Sequence, residues 1–247
     1  DISKFDCGDE DLNDFIKNEV KPHLKKQWRI GIITSGFFWQ MEQVLNVYEQ
    51  PYNPKRPVVC FDERPCQLLG DVLVPIPMKP RRVERQDYHY ERFGTCAVLM
   101  AVEPLAGYRL AEVTKQRTKE DYAEFMKKLA ARYPNADKIV LVQDNLNPHN
   151  PSSFYEVFPA EEAFALAQRF EMVYTPKKAS WLNMAEIELS ALSKQCLDRR
   201  IPQMNILAQE VIAWSKDRNH ARIKITWQFT KNIARVKLQK FYDIIKN

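Results

Sequence analysis

The chain has 247 residues, 45% hydrophobic and 28% charged, an ordinary globular composition with enough length for one large domain and appendages. No apolar run approaches the roughly 20 residues that a membrane span needs, and the acidic N-terminus has no signal-peptide core, so a cytoplasmic protein without a membrane partner is expected. The net charge of +5 is unevenly spread: residues 1–16 hold six acids against one lysine, whereas from Lys177 onward there are 14 Lys and Arg against 6 Asp and Glu. A basic end suits a polyanion partner, although a solvated helical surface has the same composition. The five cysteines form no CxxC pair and are odd in number, which argues against a zinc knuckle and a disulfide scaffold.

In chain order, residues 8–19 read as a short polar helix. Residues 37–49 read as an amphipathic one, with Phe37, Phe38, Met41, Val44, Leu45 and Tyr48 at spacings of three and four. Three prolines between Pro51 and Pro57 mark a boundary. Val58–Phe61 is a short buried strand. Phe93–Val102 and Tyr108–Val113, separated by a turn through Gly107, form a hairpin. Thr118 caps a helix with Asp121 at its third position, and Tyr122, Phe125, Leu129 and Ala130 make the buried face. Ile139–Gln143 is a continuous apolar strand interior to a sheet. A helix over 161–170, a strand over 171–175 and helices from Leu182 to about Lys216 follow, with a basic helical tail from Ile201. This order predicts an α/β domain, a mixed sheet covered by helices, in which sites form at the carboxyl ends of strands.

Two acids stand at such ends. Asp62 follows Val58–Phe61, and Asp144 follows Ile139–Gln143. Each alone is also good turn chemistry. A third comes from the helix that begins near Trp181-Leu182-Asn183-Met184-Ala185-Glu186. Its apolar stripe of Leu182, Ala185, Leu189, Leu192 and Cys196 is flanked by Glu186 on one side and Glu188 on the other, and spacing does not choose between them. Three carboxylates are what a two-metal phosphoryl-transfer site requires, because Mg²⁺ takes oxygen ligands and keeps several waters.

The words around these acids are Pro57-Val58-Val59-Cys60-Phe61-Asp62-Glu63, Tyr88-His89-Tyr90-Glu91-Arg92-Phe93-Gly94-Thr95, and Val142-Gln143-Asp144-Asn145-Leu146-Asn147. To them are added Pro176-Lys177-Lys178-Ala179-Ser180-Trp181-Leu182-Asn183-Met184-Ala185-Glu186, Thr226-Trp227-Gln228-Phe229-Thr230, and upstream Lys21-Pro22-His23-Leu24-Lys25-Lys26-Gln27-Trp28. Over roughly residues 17–241 the chain resembles the bacterial insertion-sequence transposases of the mariner-related group, which carry a DDE triad on an RNase H-like fold. The resemblance implies that Asp62, Asp144 and Glu186 hold two Mg²⁺ ions, with Mn²⁺ as a substitute; the spacing from the Trp-Leu-Asn word selects Glu186 over Glu188. It implies hydrolysis at the terminal inverted repeats of a mobile element, followed by attack of the freed 3′-hydroxyl on TA-containing target DNA. The partner would be double-stranded DNA, with a homodimer possible and a bacterial, nucleoid-associated location.

Asn145, Asn147 and His149 fall in the matched loop and are candidates to contact DNA or metal-bound water, or to act as loop caps. Trp181 either stacks on a base or packs in the core. Lys177, Lys178, Arg81, Arg82 and Arg85 are candidate phosphate contacts. The sequence departs from the family in three places: its helix-turn-helix modules are expected to be missing, Gly31–Gly36 fits its linker poorly, and Met184-Ala185 replaces a more usual polar-plus-isoleucine pair. Phe5-Asp6-Cys7-Gly8-Asp9-Glu10-Asp11-Leu12 resembles the start of GNAT acetyltransferases, but with 6 glycines in the chain no coenzyme A loop is evident. The expected organisation is a foreign acidic leader over 1–16, a helical linker over 17–56 and an RNase H-like catalytic domain with a helical C-terminal extension over 57–247. The competing reading is a truncated remnant that folds, and binds DNA or dimerises, without catalysis.

Overall fold

The computed structural model describes residues 34–83, 85, 87–146 and 148–246. The helix expected over 8–19 and the acidic leader lie outside them. The first described helix, α1 (Ser35–Tyr48), begins where the Thr34 Oγ1 accepts the Phe37 N–H at 3.3 Å. Its buried side chains are Phe37, Phe38, Met41, Val44 and Leu45, the face expected from their spacing.

Five strands follow: β1 (Val58–Asp71), β2 (Tyr90–Glu103), β3 (Tyr108–Thr114), β4 (Ile139–Gln143) and β5 (Phe170–Tyr174). They lie in the order β3-β2-β1-β4-β5, with β1, β2 and β3 antiparallel and β1, β4 and β5 parallel. The β2–β3 turn uses Gly107 at φ +68, whose N–H donates to the Glu103 carbonyl at 3.0 Å. The helix α2 (Lys119–Arg132) starts in a full capping box between Thr118 and Asp121. After β4 come the short α3 (Ser152–Tyr155) and α4 (Ala160–Arg169), and after β5 a single 3₁₀ turn at Ser180–Leu182. Three helices complete the chain: α5 (Ala185–Gln195), α6 (Met204–His220) and α7 (Lys231–Lys246).

The largest difference from expectation is in β1. The strand expected to end at Phe61 runs on to Asp71, so Asp62 lies within β1 rather than at its end. Antiparallel pairing with β2 continues from Cys60 opposite Val102 to Asp71 opposite Tyr90, with a register shift between Leu68 and Leu69. Parallel pairing with β4 stops at Cys60 opposite Val142. Asp62 is thus at the end of one ladder and in the middle of another.

Alternation along the strands sorts the core into layers. Cys60 and Val142 face α1, α5 and α7, while Val59, Phe61, Ile139 and Leu141 face α2, α3 and α4. A third cluster joins Val98 and Met100 of β2 to Leu189 and Leu192 of α5 and to Leu207 and Val211 of α6. Between β1 and β2 the chain makes an irregular excursion tied by bridges between Ile76 and Arg85 and between Lys79 and Arg82. Among the described residues no helix is long and apolar enough to cross a membrane.

Candidate active site

The two aspartates meet because of register. Cys60 lies opposite Val142 in the last pair of the parallel ladder, so Asp62 and Asp144 each follow that pair by two residues. Asp62 is buried, 8% exposed. Its Oδ1 accepts the Glu63 N–H at 2.8 Å, and Asn183 Nδ2 approaches its Oδ2 at 3.3 Å. Burial pushes the Asp62 carboxyl well above the usual carboxylate range, and the neighbouring charges of Glu186 and Asp144 push it the same way; the Glu63 N–H and the His149 imidazole oppose them. The charges of Glu186 in α5 and of Asp144 just after β4 thus both act on Asp62 in β1.

Asn183 is the residue that brings the helix to the strand, and the sequence reading passed over it as a site residue. Fully buried, it donates from Nδ2 to the Phe61 carbonyl at 2.7 Å, while its Oδ1 accepts the N–H of Ala185, the first residue of α5, at 3.2 Å. The Tyr48 hydroxyl donates to the Leu182 carbonyl at 2.7 Å and holds the same turn from the α1 side. Glu186 sits in the first turn of α5, half-buried.

Glu188 is engaged elsewhere. Its carboxylate is fully buried and receives a fork from Arg109 of β3, Nε to Oε2 and Nη2 to Oε1, both at 2.7 Å. A second fork comes from Arg218 of α6, at 3.1 and 3.0 Å. Both carboxylate oxygens are thus occupied by guanidinium groups. The charge of Glu186 acts on Asp62, while Glu188 ties α5 to β3 and α6.

His149 is a buried part of the site. Its ring packs edge-on to Phe61, with centroids 5.3 Å apart, and lies tilted over Tyr122 at 5.1 Å. Nδ1 is hydrogen-bonded to Asp144 Oδ1, and Nε2 to Glu63 Oε2 at 3.2 Å. Burial disfavours the charged imidazolium, but the bonds to the two carboxylates outweigh it and raise the pKa to about 9. Glu63, also passed over in the sequence, is in turn approached by Arg117 Nη1 at 3.4 Å.

The remaining candidates divide by exposure. Asn145, Lys177, Lys178, Arg81, Arg82 and Arg85 are exposed. Arg81 and Lys178 adopt positive φ, 64° and 60°, so both side chains project from sharp turns. His149 and Trp181 are not surface contacts. Trp181 is 3% exposed and packs edge-on to Phe229 at 5.9 Å, so its indole belongs to the core and is not available to stack on a base. Asn147 lies outside the described residues. Among the described residues no three His, Cys, Asp or Glu side chains are drawn closely enough together to hold a metal ion as they stand. Asp144 is turned toward His149, and Asp62 toward a backbone N–H and an amide.

A mixed five-stranded sheet in this order, flanked by helices, with acids on neighbouring parallel strands and on a helix packed over them, is the RNase H-like fold of polynucleotide-processing enzymes. The chain belongs to the DDE superfamily endonucleases, whose family profile matches residues 57–207. Solved structures agree on the fold. The Mos1 mariner paired-end complex with Mn is similar with a TM-score of 0.53 at 11% identity, over 87% of this chain and 63% of that one. A Mos1 transposase paired-end complex with the left transposon end gives 0.52 at 12% identity, over 77% and 59%. The isolated catalytic domain of Mos1 mariner transposase gives 0.50 at 9% identity, over 77% of this chain and 94% of that domain. The chain thus spans about three fifths of the longer transposase chains. A search of curated proteins found no matching sequence.

Proposed function

We propose that this chain carries the catalytic domain of a metal-dependent DNA transposase, with the domain beginning at the Pro57 boundary. The observation that carries the reading is the buried Asp62 carboxyl, raised well above its ordinary range by burial and by the charges of Glu186 and Asp144 beside it. An all-oxygen, anionic donor set fits a hard divalent cation such as Mg²⁺ or Mn²⁺, and such a cation would offset the mutual repulsion. Asp62, Asp144 and Glu186 are the residues that would hold two ions, which supply an activated water or 3′-hydroxyl and stabilise the leaving oxygen.

The chain's own residues do the positioning. Asn183 fixes the start of α5 against β1, so that Glu186 stays over Asp62. Asn145, exposed and next to Asp144 in sequence, is a proposed contact to the nucleic-acid backbone. Lys177, Lys178, Arg81, Arg82 and Arg85 are proposed phosphate contacts, with a salt-dependent share of binding. The substrate is double-stranded DNA at the ends of a mobile element, hydrolysed and then joined to a target. The paired-end assemblies of Mos1 make a second copy of the chain the expected companion.

The test is a calorimetric Mn²⁺ titration of wild type, Asp62→Asn and Asp144→Asn, paired with Mn²⁺-dependent cleavage of a pre-nicked duplex. Wild type should bind and cut, and both variants should lose at least about tenfold in Mn²⁺ affinity, as removal of a charged ligand implies. Equal cleavage by wild type and Asp144→Asn would overturn the catalytic assignment. A folded wild type that binds DNA without metal or cleavage would establish the remnant reading instead.

A further inference from the structure

The pairing of β1 with β4 ends two residues before the two aspartates. Past Cys60 and Val142 the two strands no longer pair, among the described residues. Asp144 therefore lies past the end of this ladder, directly after Gln143, which still pairs with Tyr174 of β5. The contact that crosses this gap is the imidazole of His149, bound on one side to Asp144 and on the other to Glu63. Glu63 also reaches Asp62, since its backbone N–H donates to the Asp62 carboxylate at 2.8 Å.

The relay is itself held rigidly. The His149 N–H donates to the Leu146 carbonyl at 2.9 Å, and its own carbonyl accepts Gln143 Nε2 at 2.9 Å. The Tyr122 hydroxyl donates to Gln143 Oε1 at 3.0 Å and closes the frame beneath the ring. Phe61 and Tyr122 flank the imidazole, which has no exposed surface. A buried ring with both nitrogens on carboxylates has no freedom to meet DNA, but it fixes the orientation of each carboxylate it binds.

We propose that His149 and Glu63 form a positioning relay that orients Asp144 as a metal ligand and couples it to Asp62 across the gap between β1 and β4. The proposal rests on the assignment of Asp62 and Asp144 as metal ligands. Groups that orient first ligands through a hydrogen bond typically alter metal affinity by about 10–100-fold when removed.

The experiment is a Mn²⁺ titration by calorimetry on the full chain, with thermal unfolding followed by circular dichroism to establish that each variant is folded at the titration temperature. His149→Leu removes both bonds, Glu63→Leu removes the far acceptor without touching Asp144, and His149→Asn keeps an amide donor near the position of Nδ1. His149→Leu and Glu63→Leu should each weaken Mn²⁺ binding roughly tenfold or more, and His149→Asn should recover most of that loss, which loss of packing alone would not produce. Wild-type Mn²⁺ affinity in folded His149→Leu or folded Glu63→Leu would overturn the relay. Equal loss in His149→Asn and His149→Leu would also overturn it, because donation to Asp144 would then be irrelevant. If one leucine variant fails to fold, the other and His149→Asn decide. The two levels separate through Asp62→Asn. Unchanged binding there defeats the metal-site assignment, whereas weakened binding there with unchanged Glu63→Leu defeats the relay alone.

Discussion

Replacing Glu188 with alanine should be among the most damaging single changes in this domain, although Glu188 is not assigned to the chemistry. The carboxylate accepts two bonds from Arg109 and two from Arg218. The Arg109 side chain is fully buried, and among the described residues its guanidinium otherwise keeps the carbonyls of Gly107, at 2.9 Å, and Ile223, at 2.5 Å. Removing Glu188 leaves a guanidinium charge without a counter-charge in the interior, which costs about 3–5 kcal/mol. Arg218 is 14% exposed and can recover water, so Arg109 carries most of the loss. Against a domain stability of roughly 5–15 kcal/mol, this is a large fraction. Arg218→Ala should cost less, about 1–2 kcal/mol, because Glu188 stays paired with Arg109. Urea unfolding followed by tryptophan fluorescence measures both. A loss below about 1 kcal/mol for Glu188→Ala, or a larger loss for Arg218→Ala, would refute the view that a buried charge pair anchors α5.

Two further outcomes are expected. Gly107→Ala should destabilise by more than about 1 kcal/mol, since its φ is +68° and a Cβ would come within 2.6 Å of the Arg222 carbonyl carbon; an unchanged urea midpoint would contradict this. His149 has a folded pKa raised from 6.5 to about 9, so its stabilising contribution is full below 6.5 and fades as pH rises through about 9. The urea midpoint of the metal-free protein should therefore fall between pH 6.5 and 9.5, and His149→Leu should flatten that slope; equal slopes in the two proteins would refute it.

Much of the architecture was legible because it is local. The β4 strand, Ile139–Gln143, is an unbroken apolar run, and Thr118 and Asp121 announce a helix start three residues apart. The far half of β1 was not legible. Glu63-Arg64-Pro65-Cys66-Gln67 is polar and contains a proline, which ordinarily argues against an interior strand. It is a strand because β2 pairs with it on one side, while on the other β4 has already ended and a missing N–H at Pro65 costs no ladder bond. The acids of the site were visible as charges after buried runs. Their supports were not, because each joins residues distant in sequence: Asn183 with Phe61, His149 with Glu63, Glu188 with Arg109. For His149 and Trp181 the sequence left a DNA contact and a structural role both open, because a polar or aromatic side chain in a matched loop looks the same in sequence whether it faces solvent or core; both are buried.

The long reach of β1 has a consequence for how the protein fails. Beyond residue 60 its β4-side flank is a strand margin with no neighbouring strand among the described residues, the kind of margin that recruits foreign strands. It is covered instead by the chain around α5 and just after it. Arg64 Nη1 is hydrogen-bonded to the Ser193 hydroxyl, and the Leu69 N–H donates to the Ile201 carbonyl at 3.1 Å. The helix that carries Glu186 is thus also a shield. Local melting of α5 would withdraw a carboxylate from the candidate site and, in the same motion, bare an adhesive backbone edge. Lost activity and intermolecular β-aggregation would then arrive together, from one opening event.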